Sequence, residues 1–321
     1  MKKLLTLPMV ALLAGAFSVA QAAGTTCTDT PKQYGAITVK KSNINGDEKC
    51  VAYIYADSTA SKEAGDKSLY TKLDAFEETV DYIVYKRGSM SNNKNQTITL
   101  PFSTTSSCSV NGAEFYPIGK DASNKESFVD KNKDNIWIVR TDNAVIKNDK
   151  NVNLGIIAGD PYIVKFTNGG EITFSGCDFE INTRSVASVN TKGSWSFVGT
   201  FNMIKWDEGD ANLGSVYGLG TAEDSKYGGK FVKAKAGASI PPMRAFLKYN
   251  KPTSLAKKIS IKGNLDFEEN PENLMLALAG ESPATEECFQ DGDGIFEVKT
   301  IDGRVTACID DNGIKSAGRF S

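Results

Sequence analysis

The 321 residues exceed the roughly 100 to 200 expected of one domain. At 40% hydrophobic, 9% aromatic and 24% charged, they have the composition of a folded globular chain and not of a disordered one. No histidine occurs, which removes Ser-His-Asp and Cys-His nucleophile systems, imidazole-based zinc sites and histidine acid–base chemistry together. Without Lys2 and Lys3 of the leader described next, 35 basic residues face 39 acidic ones, a net charge of −4. The basic side chains are also dispersed, with only Lys40-Lys41, Lys86-Arg87 and Lys257-Lys258 adjacent, so nucleic acid is not an expected partner.

Residues 1–22 join a basic start, a short apolar run over 4–19 and the small-residue sequence Ala20-Gln21-Ala22. This is the pattern of a Sec signal peptide cut before Ala23. The run is too short and too interrupted for a membrane anchor, and no later stretch is longer, so no integral membrane segment is expected after cleavage and the protein is periplasmic, cell-surface or extracellular. Beyond the leader, short β-branched and aromatic runs alternate with Asn, Asp, Gly and Ser clusters. Strands are expected at 36–40, 50–55, 79–85, 96–100, 114–116, 136–140, 162–166, 171–175, 194–201, 214–219, 230–233, 244–249, 258–262, 295–300 and 304–309.

Thr167-Asn168-Gly169-Gly170 and Asp302-Gly303 supply hairpin turns. Helical spacing appears only at 67–80, through Leu69, Leu73, Phe76 and Val80, and at 271–279 behind an Asn270 cap. Along 194–203, Trp195, Phe197, Phe201 and Met203 alternate with polar residues, which puts one face of that strand in a core.

Six cysteines, Cys27, Cys50, Cys108, Cys177, Cys288 and Cys308, all follow the leader, and an even number in an exported chain implies disulfides. Fifteen connectivities are open to six cysteines; with one pair in each third of the chain, Cys27–Cys50, Cys108–Cys177 and Cys288–Cys308 are the favoured ones. A shift towards Lys, Pro and Glu after Tyr249 marks the best boundary. The expected organisation is a leader at 1–22, an N-terminal β segment at 23–75, a central β-module at 76–250 and a small C-terminal β domain at 251–321. The fold class is mainly β: antiparallel, sandwich-like, stapled by disulfides, with little helix.

Several signposts stand in a recognisable order. Val80-Asp81-Tyr82-Ile83-Val84-Tyr85-Lys86-Arg87 is followed by Thr97-Ile98-Thr99-Leu100-Pro101-Phe102 and then by Ala113-Glu114-Phe115-Tyr116. Asp160-Pro161-Tyr162-Ile163-Val164-Lys165, Trp195-Ser196-Phe197-Val198-Gly199-Thr200-Phe201, Val216-Tyr217-Gly218-Leu219 and Phe231-Val232-Lys233 come next, and Gly237-Ala238-Ser239-Ile240-Pro241-Pro242-Met243-Arg244-Ala245-Phe246-Leu247 closes the series. Over residues 79–249 the chain thereby resembles a β-rich extracellular module of secreted and leucine-rich-repeat surface proteins of fibre-degrading and gut anaerobic bacteria. The resemblance implies a β-sandwich-like module with no catalytic residues to carry over. In larger relatives a terminal sorting domain follows; 251–321 has about that size but lacks the terminal Gly and Lys pattern, ending Ala317-Gly318-Arg319-Phe320-Ser321.

Few constellations carry chemistry. Asp130-Lys131-Asn132-Lys133-Asp134-Asn135 spaces oxygen ligands like a calcium loop, yet Asn135 and Thr141 stand where an EF-hand needs Gly and Glu, so a solvated turn accounts for it better. Asp291-Gly292-Asp293-Gly294 with Glu297 reads as a tight turn before a hairpin. Trp206-Asp207-Glu208-Gly209-Asp210 sets a ring beside three carboxylates, the composition of a glycan contact through Trp206, Asp207 and Glu208, although a structural turn explains it as well. Lys86-Arg87 and Lys257-Lys258 read as solvated strand ends, and the glycine clusters lack the context of a phosphate loop.

The expected function is therefore non-enzymatic: an exported adhesion, binding or structural module whose partners are polysaccharide or cell-surface components, with no cofactor. A carbohydrate-binding module beside polysaccharide-degrading enzymes is the alternative, and a carboxylate-based glycosidase the least favoured.

Overall fold

A computed structural model describes residues 27–57, 72–88, 94–119, 128–132, 136–184, 187–220, 227–250 and 271–279, with the backbone of 297–301, 304–310 and 313–316. The first strands are β1 (Lys32–Tyr34), β2 (Ile37–Ile44), β3 (Asp47–Tyr55), β4 (Glu77–Val80), β5 (Tyr82–Lys86), β6 (Asn95–Thr99), β7 (Ser109–Asn111), β8 (Ala113–Tyr116) and β9 (Val129–Lys131). They are followed by β10 (Trp137–Arg140), β11 (Ile146–Lys147), β12 (Val152–Asn153), β13 (Pro161–Phe166), β14 (Glu171–Ser175), β15 (Phe179–Asn182), β16 (Val189–Lys192), β17 (Trp195–Thr200) and β18 (Ile204–Lys205). The last are β19 (Val216–Leu219), β20 (Lys230–Lys233), β21 (Ser239–Ile240), β22 (Arg244–Tyr249), β23 (Asn273–Ala277), β24 (Glu297–Ile301), β25 (Arg304–Asp310) and β26 (Gly313–Ser316). A single 3-10 turn, Asn148–Lys150, is the sole helical element among the described residues.

Three large sheets carry the fold: six strands in the order β1-β2-β3-β5-β14-β7, five in the order β12-β11-β8-β13-β6, and eight in the order β16-β17-β22-β19-β20-β23-β10-β9. Neighbours run antiparallel except β3 with β5 and β10 with β23. The five-stranded sheet lies between the other two. Along β8, Phe115 points into one core and Tyr116 into the other; along β13, Val164 and Phe166 enter the first and Ile163 the second.

The first core packs these residues on Ile54, Ile83, Tyr85, Ile172 and Phe174 of the six-stranded sheet, with Phe102, Phe174 and Phe179 meeting edge to face. The second packs them on Trp195, Phe197, Tyr217, Phe231, Leu247 and Leu274 of the eight-stranded sheet. A strand buried on both faces needs no polar alternation, and β8 is buried at all four positions.

The disulfides Cys27–Cys50 and Cys108–Cys177 form as expected. Cys288 lies outside the described residues, as do Lys257-Lys258, the expected strand at 258–262 and the Asp291-Gly292-Asp293-Gly294 turn. The expected boundaries at 75/76 and 250/251 are both crossed by strand pairing, because β3 pairs with β5 and β23 inserts between β20 and β10.

Four expectations are corrected. The helix over 271–279 is a strand, β23, with Leu274 buried under the eight-stranded sheet. The end of the helix over 67–80 is strand β4, paired with β15. The strand at 79–85 is broken at Asp81, whose carboxylate accepts the Cys50 N–H at 2.8 Å. The turn at 167–170 closes no hairpin: β13 stays in the middle layer while β14 crosses to the six-stranded sheet, so the turn joins layers.

The sharpest side-chain correction is Arg87. It is 2% exposed, donating to Gln96 Oε1 at 3.0 Å and the Thr97 carbonyl at 3.3 Å, over the Phe166 ring. Arg244 donates to the same Gln96 oxygen at 3.2 Å. Lys86, its neighbour, is half-buried and faces Glu171 at 3.5 Å.

Candidate functional site

On the outer face of the eight-stranded sheet, register sets two rows. Val189, Val198 and Phe246 lie directly across from one another in β16, β17 and β22, and Thr191, Ser196 and Lys248 form the next row. The first row is apolar and the second polar, as alternation along three adjacent strands requires. The polar row is linked: Thr191 and Ser196 hydroxyls lie 2.8 Å apart, and Asn250 Nδ2 donates to Ser196 Oγ at 2.7 Å. Lys248 has no carboxylate partner among the described residues.

Over the apolar row folds the loop 201–215. Trp206 is 3% exposed and packs edge to face on Phe246, with ring centroids 5.2 Å apart, inside a small core with Val216, Ala234 and Ile240. Its backbone is pinned on both sides, by N–H to Ala238 C=O and by C=O to Gly237 N–H. The loop then turns sharply: Asp210 N–H donates to Asp207 C=O, Gly209 takes φ 88°, and Asp210 Oδ1 accepts the Asn212 N–H. Asp207 and Glu208 are exposed, Asp207 with the Lys205 ammonium at 2.7 Å.

The sequence thus located the turn, and the structure separates its ring from Asp207 and Glu208. The ring points down into the sheet and the Asp207 and Glu208 carboxylates point out into water, so the ring and those two acids do not form one surface, while Asp210 lines the same cavity as the ring.

What the sequence did not reveal is the trough beside this loop. A cavity of about 360 Å³ is bounded by Val198, Ile204, Trp206, Phe246, Lys248 and Asn250. It shares Asn212, Lys248 and Asn250 with a second cavity of about 510 Å³ that runs past Leu213, Ser215 and Tyr249. It shares Val189 with a third, of about 360 Å³, at Pro117, Asp160, Tyr162 and Asn190. The first two adjoin and are open; the third lies beside Ser188 and Asn190, whose side chains alternate with Val189 to the opposite face of β16. The pairing register β16-β17-β22 brings residues of the first cavity together from positions as far apart as Val189 and Asn250, so no local motif could have announced it. Among the described residues no group of His, Cys, Asp and Glu could hold a metal ion, and no helix is long and apolar enough to cross a membrane.

The segments 97–99, 195–201 and 244–247 meet elsewhere, at the joint between layers. Thr97 Oγ1 accepts the Ala245 N–H at 3.1 Å, Thr99 Oγ1 donates to the Arg244 carbonyl at 2.9 Å, and Gly199 lies against Thr99. No protein-family model matches the chain, and no curated protein or solved structure matches it.

Proposed function

We propose that this chain is an exported, non-enzymatic β-protein that works as a surface or secreted binding module, with the trough on the outer face of its eight-stranded sheet as the contact surface. The observation that carries the reading is the continuity of that trough: two open cavities on this face share Asn212, Lys248 and Asn250. Sites for small metabolites are usually enclosed, burying most of the ligand. An open, elongated surface with amide and ammonium groups along it suits an extended polymer instead. The leader, the disulfides and the resemblance to an extracellular module all support export.

The carbohydrate-binding alternative draws on the same surface. Asn212, Asn250, Ser196 and Lys248 offer the donors and acceptors that sugar hydroxyls need. The buried Trp206 contributes to it as the wall of the trough and not as a stacking platform.

The experiment is a pull-down of the mature protein on insoluble polysaccharides, run beside a reducing-sugar assay. Retention without sugar release is expected. Sustained release that disappears in Glu208→Gln would overturn the non-enzymatic reading.

A further inference from the structure

An edge strand presents unpaired N–H and C=O groups, and β-proteins that remain monomeric guard such edges. Among the described residues β16 is an edge with one neighbour, β17. Its pairing sets Asn190 opposite Phe197 and Lys192 opposite Trp195, and Gly199 N–H donates to Ser188 C=O. Ladder alternation therefore turns the backbone of Ser188, Asn190 and Lys192 towards β17 and leaves the N–H and C=O of Val189 and Thr191 facing outward. Both residues are exposed.

Of the large apolar side chains left exposed among the described residues, Leu154 at 74%, Ile157 at 62% and Val189 at 55%, Val189 lies on this edge and Ile157 on the loop tied to it. Leu154 and Ile157 are not on a loose loop. Every N–H from 154 to 160 is hydrogen-bonded, to Val145 C=O, Asn153 Oδ1, Thr104 Oγ1, Tyr162 OH, Ser103 Oγ, Leu100 C=O and Ile157 C=O in turn. Ile156 between them is buried and anchors the loop. Ser188 ties the loop to β16, through its N–H to Gly159 C=O and its hydroxyl to Asp160. A hydrogen-bonded loop holding Ile157 in water next to an open strand edge that itself exposes Val189 has the make-up of an interface.

We propose that β16 pairs edge to edge with β16 of a second copy of this chain, antiparallel about a two-fold axis at Asn190, burying Val189 and Ile157 of both copies. Self-complementarity favours this occupant. With the axis at Asn190, Val189 of one copy meets Thr191 of the other and the two exchange the backbone hydrogen bonds that both leave open. Lysine on an edge usually blocks pairing; in this register Lys192 does not meet its own equivalent but lies opposite Ser188 of the second copy, beside the Asp160 carboxylate that Ser188 binds. Opposite charges approach and like charges do not, as an isologous contact requires. The pairing also sets the two troughs on the same side of one continuous sheet.

So small a contact, at or below about 1,200 Å² in total, belongs to the weak class of interfaces. Sedimentation equilibrium of the mature protein from about 1 to 500 μM, a range that brackets micromolar affinity, is the test. A monomer–dimer equilibrium is expected. Ile157→Lys and Lys192→Glu should each raise the dissociation constant at least tenfold at an unchanged melting temperature. Asn111→Lys, on the β7 edge of the other outer sheet, should leave it unmoved. A monomer throughout the range overturns the proposal, and so does a dimer indifferent to Ile157→Lys and Lys192→Glu.

Discussion

Glu78 receives the Lys32 ammonium and the Tyr34 hydroxyl, both at 2.6 Å, and so ties β1 to β4. Burial acts to raise its carboxyl, and the bonds from Lys32 and Tyr34 outweigh that and hold it below the ordinary value of 4.5. The same burial, with Glu78 beside it, pushes the Tyr34 hydroxyl up to about 12. A carboxyl depressed in the folded state stabilises fully above its unfolded value and loses that contribution as pH falls through the folded one. Glu78→Gln should therefore cost about 0.5 to 1 kcal/mol at pH 7, the pair being part-exposed, and the difference should shrink steadily below pH 4.5 in urea titrations. A difference that stays constant down to pH 2 would contradict it.

Gly199 is a case of close approach: a Cβ there would stand 2.8 Å from the Thr99 side chain and 3.0 Å from the Gly159 carbonyl. Thr99 cannot yield without losing its bond to Arg244, so Gly199→Ala should destabilise by about 1 to 3 kcal/mol. Trp206→Ala, at a ring 3% exposed, should cost about 3 to 5 kcal/mol; a loss under about 1 kcal/mol in thermal or urea unfolding would place the ring at the surface. Trp206 shows what sequence reading misses at this scale. The turn chemistry of Asp207 to Asp210 is local and legible, whereas the direction of the ring is set by Phe246, 40 residues on, and by Ala238. Arg87 misled for the same reason, because its acceptors, Gln96 and Thr97, come from another sheet.

Among elements, strands were legible wherever β-branched runs end in turn residues, and β14 falls at 171–175 as expected. Layer membership was not. Tyr162 to Phe166 reads as a strand, yet its burial on both faces comes from two sheets that no local pattern describes. Residues 273–277 have helical spacing in isolation, but pairing with β10 and β20 satisfies their backbone and buries Leu274, and tertiary context overrides propensity.

The two disulfides span unequal loops, 23 and 69 residues apart. On the chain-entropy account they contribute roughly 3 and 4 kcal/mol. The Cys108→Ala/Cys177→Ala double variant should thus be less stable than Cys27→Ala/Cys50→Ala by about 1 kcal/mol in equilibrium unfolding. The reverse order would mean that native-state strain or residual structure in the unfolded chain dominates.

For the whole molecule, three stacked sheets, joined where Thr97 and Thr99 meet the backbone of β22, hold the outer face of the eight-stranded sheet as a stiff, exposed surface. The expectation of a mainly β, disulfide-stapled protein follows from strand-and-turn composition and cysteine spacing, while the trough arises from register alone. The most direct measurement is the retained fraction of the mature protein on insoluble plant and bacterial polysaccharides. It compares Lys248→Ala/Asn250→Ala, on the trough, with Lys86→Ala/Glu171→Ala, on the six-stranded sheet, each pair first checked for an unchanged melting temperature. The trough variant is predicted to lose at least tenfold in apparent affinity and the other to match the parent; equal retention of both, or retention of neither the parent nor its variants on any of the polysaccharides, would contradict the account.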